Sequence, residues 1–467
     1  MGAVAAGLQF VDLAGRELLL FAGIWIFVGL VDELAVDILW VWLKAKGRGK
    51  AMPFSAAQSD ADFRAAVLIP CWREADVLEE MIASCRQAWR HRRCTFYVGC
   101  YRNDPSTIES ARRGASGDER VRITVLNRDG PTTKADCLNG LYDALSAHEA
   151  AHGSAYDFVL MQDAEDRVHP LALDLIADRL QRADFVQLPV IPELDPDSRW
   201  VAGHYADEFS ESHFKSLVVR DWLRTSLPAA GVGCAFRREL LTEIAAYRGG
   251  HHPFAPECLT EDYELGLLVK HLGRRSRFVR AVDEGGQLIA TREYFPANLS
   301  AAVRQKARWI HGIAFQGWDR LGWSSGVTET WMRLRDRRGP LAALVLLVAY
   351  LVIAISFVLW AAEGVGLLHR YPLSGLMRAV VLVGFAGLLW RAAVRFAFTT
   401  ALYGVAEGLR SIPRLFVANV IAIVAARRAI SAYLRTFGGH PTVWEKTHHS
   451  RYPAAETRRA ISVRETA

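Results

Sequence analysis

The sequence predicts an α/β domain built on a mostly parallel sheet and flanked by transmembrane helices. Three observations predict it. Apolar runs long enough to cross a bilayer stand towards both ends of the 467 residues. Between them, short continuous apolar runs alternate with helical stretches, as in a sheet whose parallel strands are joined by crossover helices. Polar loops carrying Asp104, Asp129 and Asp163 follow successive strands, at the carboxyl edge where such sheets hold ligands.

The first apolar run, Glu17 to Leu43, is followed by "KAKGRGK". "RAAVLIP" then predicts a buried strand over Ala65–Ile69, broken at Pro70, with a helix from about Ala75. A second strand runs from Thr95 to Tyr101, a loop holds Asn103, Asp104 and Pro105, and a helix follows. "VRITVLNRD" is a third strand, "TTKADCLNGLYDALSAH" a helix and "AYDFVLMQDAED" a fourth strand. Two further spans are expected at Leu341–Ala361 and about Met377–Tyr403. The stretch after them runs into Arg427 and Arg428 and reads as an amphipathic helix lying at the interface. The expected organisation is residues 1–50 with a transmembrane helix over about 17–43, a catalytic-type domain over 51–338, two transmembrane helices over 339–404, and an interfacial helix with a cytoplasmic tail over 405–467.

Lys44, Lys46, Arg48 and Lys50 on one side, and Arg333, Arg335, Arg337 and Arg338 on the other, bracket the middle segment. Basic flanks stay cytoplasmic, so the middle domain is expected on the cytoplasmic side of the membrane. Within the spans, Glu33 and Asp37 share one helix face and Arg391 and Arg395 share another, each pair near mid-span. Isolated ions there are costly, so the acidic face is expected to pack on the basic one.

The formal net charge is +6, but the arginines cluster at membrane flanks without interleaved aromatics, which argues against a nucleic-acid partner. Seven cysteines show no metal-ligand spacing and read as reduced thiols. There is no GxGxxG and no GxxxxGK[ST]. The start has acids and no basic cluster, unlike a cleaved signal peptide.

Three stretches carry chemistry. In "DAED", Asp163 and Glu165 are two apart at a strand end, and extended geometry sends both to one side. Paired carboxylates there suit Mg²⁺ or Mn²⁺, which bridges to a diphosphate; the plain alternative is a solvated turn, with Asp166 capping or supporting. "TED" at Thr260–Asp262 opens a helix, where a capping start is the plain alternative. In "QKARW", Gln305, Arg308 and Trp309 put an amide, a cation and a flat ring on one turn of helix, able to meet phosphate and sugar or to sit at a membrane surface.

Together with "IPCWRE" at Ile69–Glu74, "YRNDP" at Tyr101–Pro105, "GPTTKADCLN" at Gly130–Asn139 and "GVGCAF" at Gly231–Phe236, these motifs resemble the family 2 inverting, nucleotide-sugar-dependent glycosyltransferases. The resemblance is to the membrane-embedded branch that includes cellulose, chitin and hyaluronan synthases. It covers nearly the whole chain and reaches the tail "WEKTHH" at Trp444–His449. It implies a GT-A-type domain with a UDP-sugar donor. It implies that Pro70, Glu74 and Asp104 line a uridine pocket, with Asp129 and Lys134 near the nucleotide. Asp163 and Glu165 would hold Mg²⁺ or Mn²⁺, Asp262 would be the general base, and Gln305, Arg308 and Trp309 would meet diphosphate and acceptor. Three positions depart from the family pattern: Glu165 stands where an aspartate is usual, Asn103–Asp104 where two aspartates are usual, and Cys234 where a hydroxyl is common. The function this resemblance implies is transfer of a hexose or N-acetylhexosamine to a growing polysaccharide at a bacterial inner membrane, coupled to export. The alternatives are single-sugar transfer to a lipid-linked acceptor and a non-enzymatic membrane scaffold or phage-infection factor. The expected partners are membrane lipids and a glycan or lipid-linked acceptor. Three firm spans are few for a channel, so a second copy or an export partner is expected to complete one.

Overall fold

The computed structural model describes residues 2–55, 62–324, 326–438 and 451–453, so the Trp444–His449 motif lies outside the described residues. Seven strands form the main sheet: β2 (Ala65–Pro70), β3 (Cys94–Tyr101), β4 (Val121–Leu126), β5 (Phe158–Met161), β6 (Phe185–Gln187), β8 (Cys234–Arg237) and β9 (Ser276–Phe278), in the order β4-β3-β2-β5-β8-β6-β9. Two parallel patches flank it, β1 (Met52–Pro53) with β10 (Ala281–Val282) and β7 (Val190–Pro192) with β11 (Thr291–Glu293). Most pairings in the main sheet are parallel, but β8 runs antiparallel to both β5 and β6, so the sheet is mixed. Ala65, Val67 and Ile69 point into the core on one face and Ala66 and Leu68 into the core on the other, which is why the β2 sequence is apolar without alternation.

The crossovers are α2 (Leu78–Ala88), α3 (Pro105–Ala115), α4 (Lys134–His152) and α5 (Ala172–Leu180). α2 begins three residues later than expected, because the chain after Pro70 is held as a loop. Asp104 accepts the Arg73 amide at 2.6 Å and Thr107 accepts the Glu74 amide at 2.9 Å, with Arg73 left-handed at φ 55°. From β2 the chain steps outward to β3 and β4, then returns to β5 on the other side of β2. The carboxyl ends of β2 and β5 therefore flank a topological switch point, where an open α/β sheet leaves a crevice.

Two further groups of helices complete the domain: α6 (Val201–Glu211), α7 (Leu217–Trp222), α8 (Arg238–Tyr247) and α9 (Glu261–His271), then α10 (Leu299–Ile310), α11 (Gly317–Leu321) and α12 (Val327–Arg337). The remaining helices are α1 (Gly2–Ala45), α13 (Gly339–Gly364), α14 (Gly375–Tyr403) and α15 (Val405–Thr436), and all four are long and apolar enough to cross a membrane. The fourth exceeds the weak apolar run read from the sequence. It nevertheless touches the sheet domain near both ends: Arg414 is 2.9 Å from Asp207 of α6, and the Tyr433 hydroxyl donates to Asp319 of α11 at 2.8 Å. Beyond α15, Tyr452 donates to the Asp166 carbonyl at 3.3 Å and Arg451 pairs with Asp195 and Asp197.

The 44 residues of α1 extend about 66 Å, twice the hydrocarbon thickness of a bilayer. Asp32, Glu33 and Asp37 lie in the second half of this helix, where α1 meets the sheet domain. Arg391 does pair with Glu33, at 3.0 Å. Asp37 instead meets Lys215 at 2.6 Å, and Arg395 meets Glu211 at 3.1 Å. The domain supplies the missing partners. Arg335 and Arg338 from the basic flank are themselves tied to Asp32 and Glu33, while Arg333 and Arg337 are buried. Lys44, Lys46, Arg48 and Lys50 remain exposed.

Candidate active site

At the switch point lies a cavity with about 120 Å³ of space. A larger hollow of about 540 Å³ stands elsewhere on α9, so size does not select the site. Convergence does. Pro70, Glu74, Lys134, Asp163, Glu165, Asp262, Gln305, Arg308 and Trp309, drawn from five separate motifs, all line the smaller cavity. Asp104 and Asp129 do not. Asp104 caps α3 and pins the Arg73 amide, and Asp129 is exposed and paired with Arg102 at 2.6 Å.

Each wall has a local cause. β5 ends at Met161, and Asp163–Asp166 forms a turn rather than extended chain: the Asp166 amide donates to the Asp163 carbonyl at 3.2 Å, and the Asp163 amide donates to Asp166 Oδ2 at 2.7 Å. The turn, not strand alternation, brings Asp163 and Glu165 to the same cavity. Asp166 is its buried brace, and burial, with Glu293 and Asp163 nearby, pushes its carboxyl well above the usual range.

Lys134 opens α4 and places Nζ 2.6 Å from Asp163. Burial alone would lower this ammonium, but Asp163, Glu261 and Asp262 around it hold it above the ordinary lysine value. Burial raises Asp262, with Asp163 adding to the effect and Lys134 and Arg308 opposing it. Glu261 is pushed up to about 8 by burial and then by Asp262 beside it. Thr260 makes no capping hydrogen bond, and its Oγ1 is buried without a partner among the described residues, so the plain capping account of "TED" fails. Gln305 Oε1 is likewise buried without a partner among the described residues. Lys306 lies 5.0 Å from the Trp309 ring and 4.9 Å from the Tyr205 ring, while pairing with Glu208. α10 then continues as a π-helical segment, His311–Gln316, an irregularity common at functional sites.

Some wall residues escape sequence reasoning. Glu293 of β11 joins the cavity, and burial, with Glu165 and Asp163 close by, raises it well above the usual carboxylate range. Gly231, at φ 80°, has no room for a side chain, since a Cβ would lie 2.6 Å from Asp262 Oδ2. Gln187 fixes that loop, donating to the Val232 carbonyl at 2.9 Å and accepting the Ala230 amide at 2.8 Å. The only sequence signals were two glycines in "GVG" and a polar residue closing the apolar run before Leu188. Cys234 is buried in β8.

Asp163 and Glu165 fit a hard divalent cation. Both are oxygen donors in the cavity, and the Lys134 ammonium already stands as a cation on Asp163. Among the described residues no group of three or more His, Cys, Asp or Glu is arranged as a ligand set. Mg²⁺ ordinarily needs only one or two carboxylates, with phosphate and water completing its shell.

A mixed α/β sheet with an acid-rich cavity at its switch point thus stands against four helices long and apolar enough to cross a membrane. Residues 63–312 match the model for "Glycosyltransferase like family 2", and the chain belongs to this family and is a glycosyltransferase. It is 32% identical over 450 residues to bacteriophage adsorption protein B of Escherichia coli K12, and equally so to bacteriophage N4 adsorption protein B of Escherichia coli O157:H7. Each match covers 91% of this chain, which spans 60% of the length of these relatives. The fold is similar to that of a mannosyltransferase from Pyrobaculum calidifontis solved in complex with GDP-Man and Mn²⁺. That match has a TM-score of 0.51 and 15% identity, covering 89% of this chain and 99% of the other.

Proposed function

We propose that this chain transfers a hexose or N-acetylhexosamine, with inversion, from a UDP-sugar to a growing polysaccharide at the bacterial inner membrane. The sheet domain is of GT-A type and faces the cytoplasm. One observation carries the metal-dependent reading: six acidic side chains and only two basic ones line the cavity. Charged carboxylates among them repel a diphosphate, and a cation held between the two offsets that repulsion. Asp163 and Glu165 would hold Mg²⁺ or Mn²⁺, which would supply neutralisation of the diphosphate leaving group.

The chain's own residues do the rest. Pro70 and Glu74 wall the nucleotide side, and Asp104 acts by fixing the loop between them. Lys134 sits towards the nucleotide, Asp129 stays outside the cavity on Arg102, and Arg308 supplies positive charge to the diphosphate. Asp262 takes the proton from the acceptor hydroxyl as that oxygen attacks the sugar carbon from the face opposite the diphosphate. Trp309 offers a ring to the acceptor sugar, held in place by Lys306 and packed near Tyr205, with Gln305 beside it.

α15 lies along the domain at the membrane surface, a reading supported by its contacts with α6 and α11 near opposite ends. Only three of the described helices then cross, which favours a second reading, single-sugar transfer to a lipid-linked acceptor. Incubating the purified protein with labelled UDP-sugars and Mn²⁺, and measuring uridine-diphosphate release and product size, tests both. A polymer ladder supports the first reading and a single addition the second. Release that is unchanged in EDTA refutes the metal-dependent reading.

A further inference from the structure

A hollow of about 790 Å³ opens between the first half of α1, the second half of α13 and the start of α14, within the roughly 300–1,000 Å³ of small-molecule sites. Small residues leave the room: Gly15 and Ala22 of α1, Ala349 and Ser356 of α13, and Gly384 of α14. Along α1 the lining runs from Asp12 to Ile26, a rise of about 21 Å. That exceeds the roughly 15 Å of hydrocarbon in one leaflet. The walls are mostly aliphatic, and the four charged lining residues, Asp12, Arg16, Glu363 and Arg370, gather at one end. They stand just outside the apolar runs Glu17–Leu43 and Leu341–Ala361, the level at which lipid headgroups meet a spanning helix.

That end leaves one cationic edge and one anionic edge open. Arg16 Nε donates to Asp12 at 2.8 Å, and its Nη atoms reach the Tyr371 and Pro372 carbonyls. Arg370 Nε donates to the other Asp12 oxygen at 3.1 Å, but its Nη1 and Nη2 make no hydrogen bond among the described residues. Glu363 accepts the Arg370 amide at 3.2 Å and forms no ion pair among the described residues. Asp12 and Arg16 offset each other, which leaves a guanidinium beside a carboxylate with no net charge.

We propose that this groove holds phosphatidylethanolamine, with an acyl chain along α1 and α13, the phosphate on Arg370 and the ammonium on Glu363. A guanidinium edge pairs with phosphate oxygens through two parallel N–H groups. The ammonium brings three donors to the carboxylate. Phosphatidylglycerol would satisfy Arg370 but offer Glu363 no cation, and phosphatidylcholine would offer a cation without an N–H. The assignment does not rest on the roles of Asp163 or Asp262.

The full chain, stripped of lipid in detergent, is titrated with each of these three lipids at one chain length. Native mass spectrometry reads the first lipid bound. Phosphatidylethanolamine is expected to bind about fivefold tighter than phosphatidylglycerol, the scale of one partly exposed ion pair. Arg370→Gln weakens it about fivefold, and Glu363→Gln brings the two lipids within about twofold of each other. Ser356 is exposed in the groove, so Ser356→Trp fills the space without crowding a core and lowers the first affinity about tenfold. This variant keeps the test decisive if a charge variant fails to fold. Equal affinity of the wild type for all three lipids, or binding unmoved by Ser356→Trp, overturns the proposal. A second copy of this chain is the rival occupant: a dimer by light scattering that Ser356→Trp disperses overturns the lipid assignment as well.

Discussion

Glu211 closes α6 with its side chain 8% exposed and meets three cations, Lys215 and Arg391 at 2.7 Å and Arg395 at 3.1 Å. Glu211→Gln leaves all three charged groups where they are. Lys215 keeps Asp37 and Arg391 keeps Glu33, but Arg395 forms no other ion pair among the described residues. Removing one partner of a buried pair costs about 3–5 kcal/mol. Two of the three cations retain an acid, so the lower end is expected, about 3 kcal/mol. With an unfolding entropy of about 2.1 cal/mol/K per residue, a chain of 467 residues shifts by about 1 °C per kcal/mol, so the melting temperature of the protein in detergent falls by about 3 °C. Differential scanning fluorimetry at fixed detergent and lipid reads the shift. A loss below about 1 kcal/mol, the worth of an exposed pair, would refute the view that this cluster welds the apolar helices to the sheet domain. Arg391→Glu is expected to cost more still, and adding Glu33→Arg to restore part of it; simple additivity would count against direct pairing.

Other consequences are local to the cavity. Asp163→Ala lowers divalent-dependent donor affinity at least tenfold, by fluorescence or calorimetric titration, while the fold survives. Gly231→Ala forces a left-handed non-glycine residue, at about 1–2 kcal/mol, and drives a methyl against Asp262; turnover falls while donor binding holds, by steady-state kinetics. Asp262 must be ionised to act. Its carboxyl is raised, so kcat/KM falls as pH drops through a value above the ordinary aspartate 3.8, and activity is present above that value and lost below it. A pH–rate profile flat across that acid limb would contradict the assignment.

The sequence made the strands and the cavity's own motifs legible for a physical reason. A strand buried on both faces must be apolar throughout, and a ligand-binding turn at its end must be polar, as in Ala65–Pro70 and Asp163–Asp166. Asp262 and Trp309 were likewise marked by position at a helix start and on one helical turn, whereas Lys134 was reached only through the family resemblance. Glu293 and Gln187 were not, because their roles arise from β11 and β6 meeting loops some 40 to 130 residues away in sequence, which no local period encodes. The charges of α1 and α14 meet as expected at Glu33 and Arg391, while Asp37 and Arg395 find other partners. Helix length alone does not say where an apolar helix leaves the bilayer, and the counter-charges Glu211 and Lys215 belong to the domain.

The most direct measurement is Asp262→Asn assayed side by side for donor binding and for sugar transfer with Mn²⁺ present. The account predicts UDP-sugar affinity within a few-fold of wild type and transfer reduced by about 10²–10⁴, as for loss of a general base. Transfer at the wild-type rate would contradict it, because no oxygen in the cavity would then depend on this carboxylate to lose its proton.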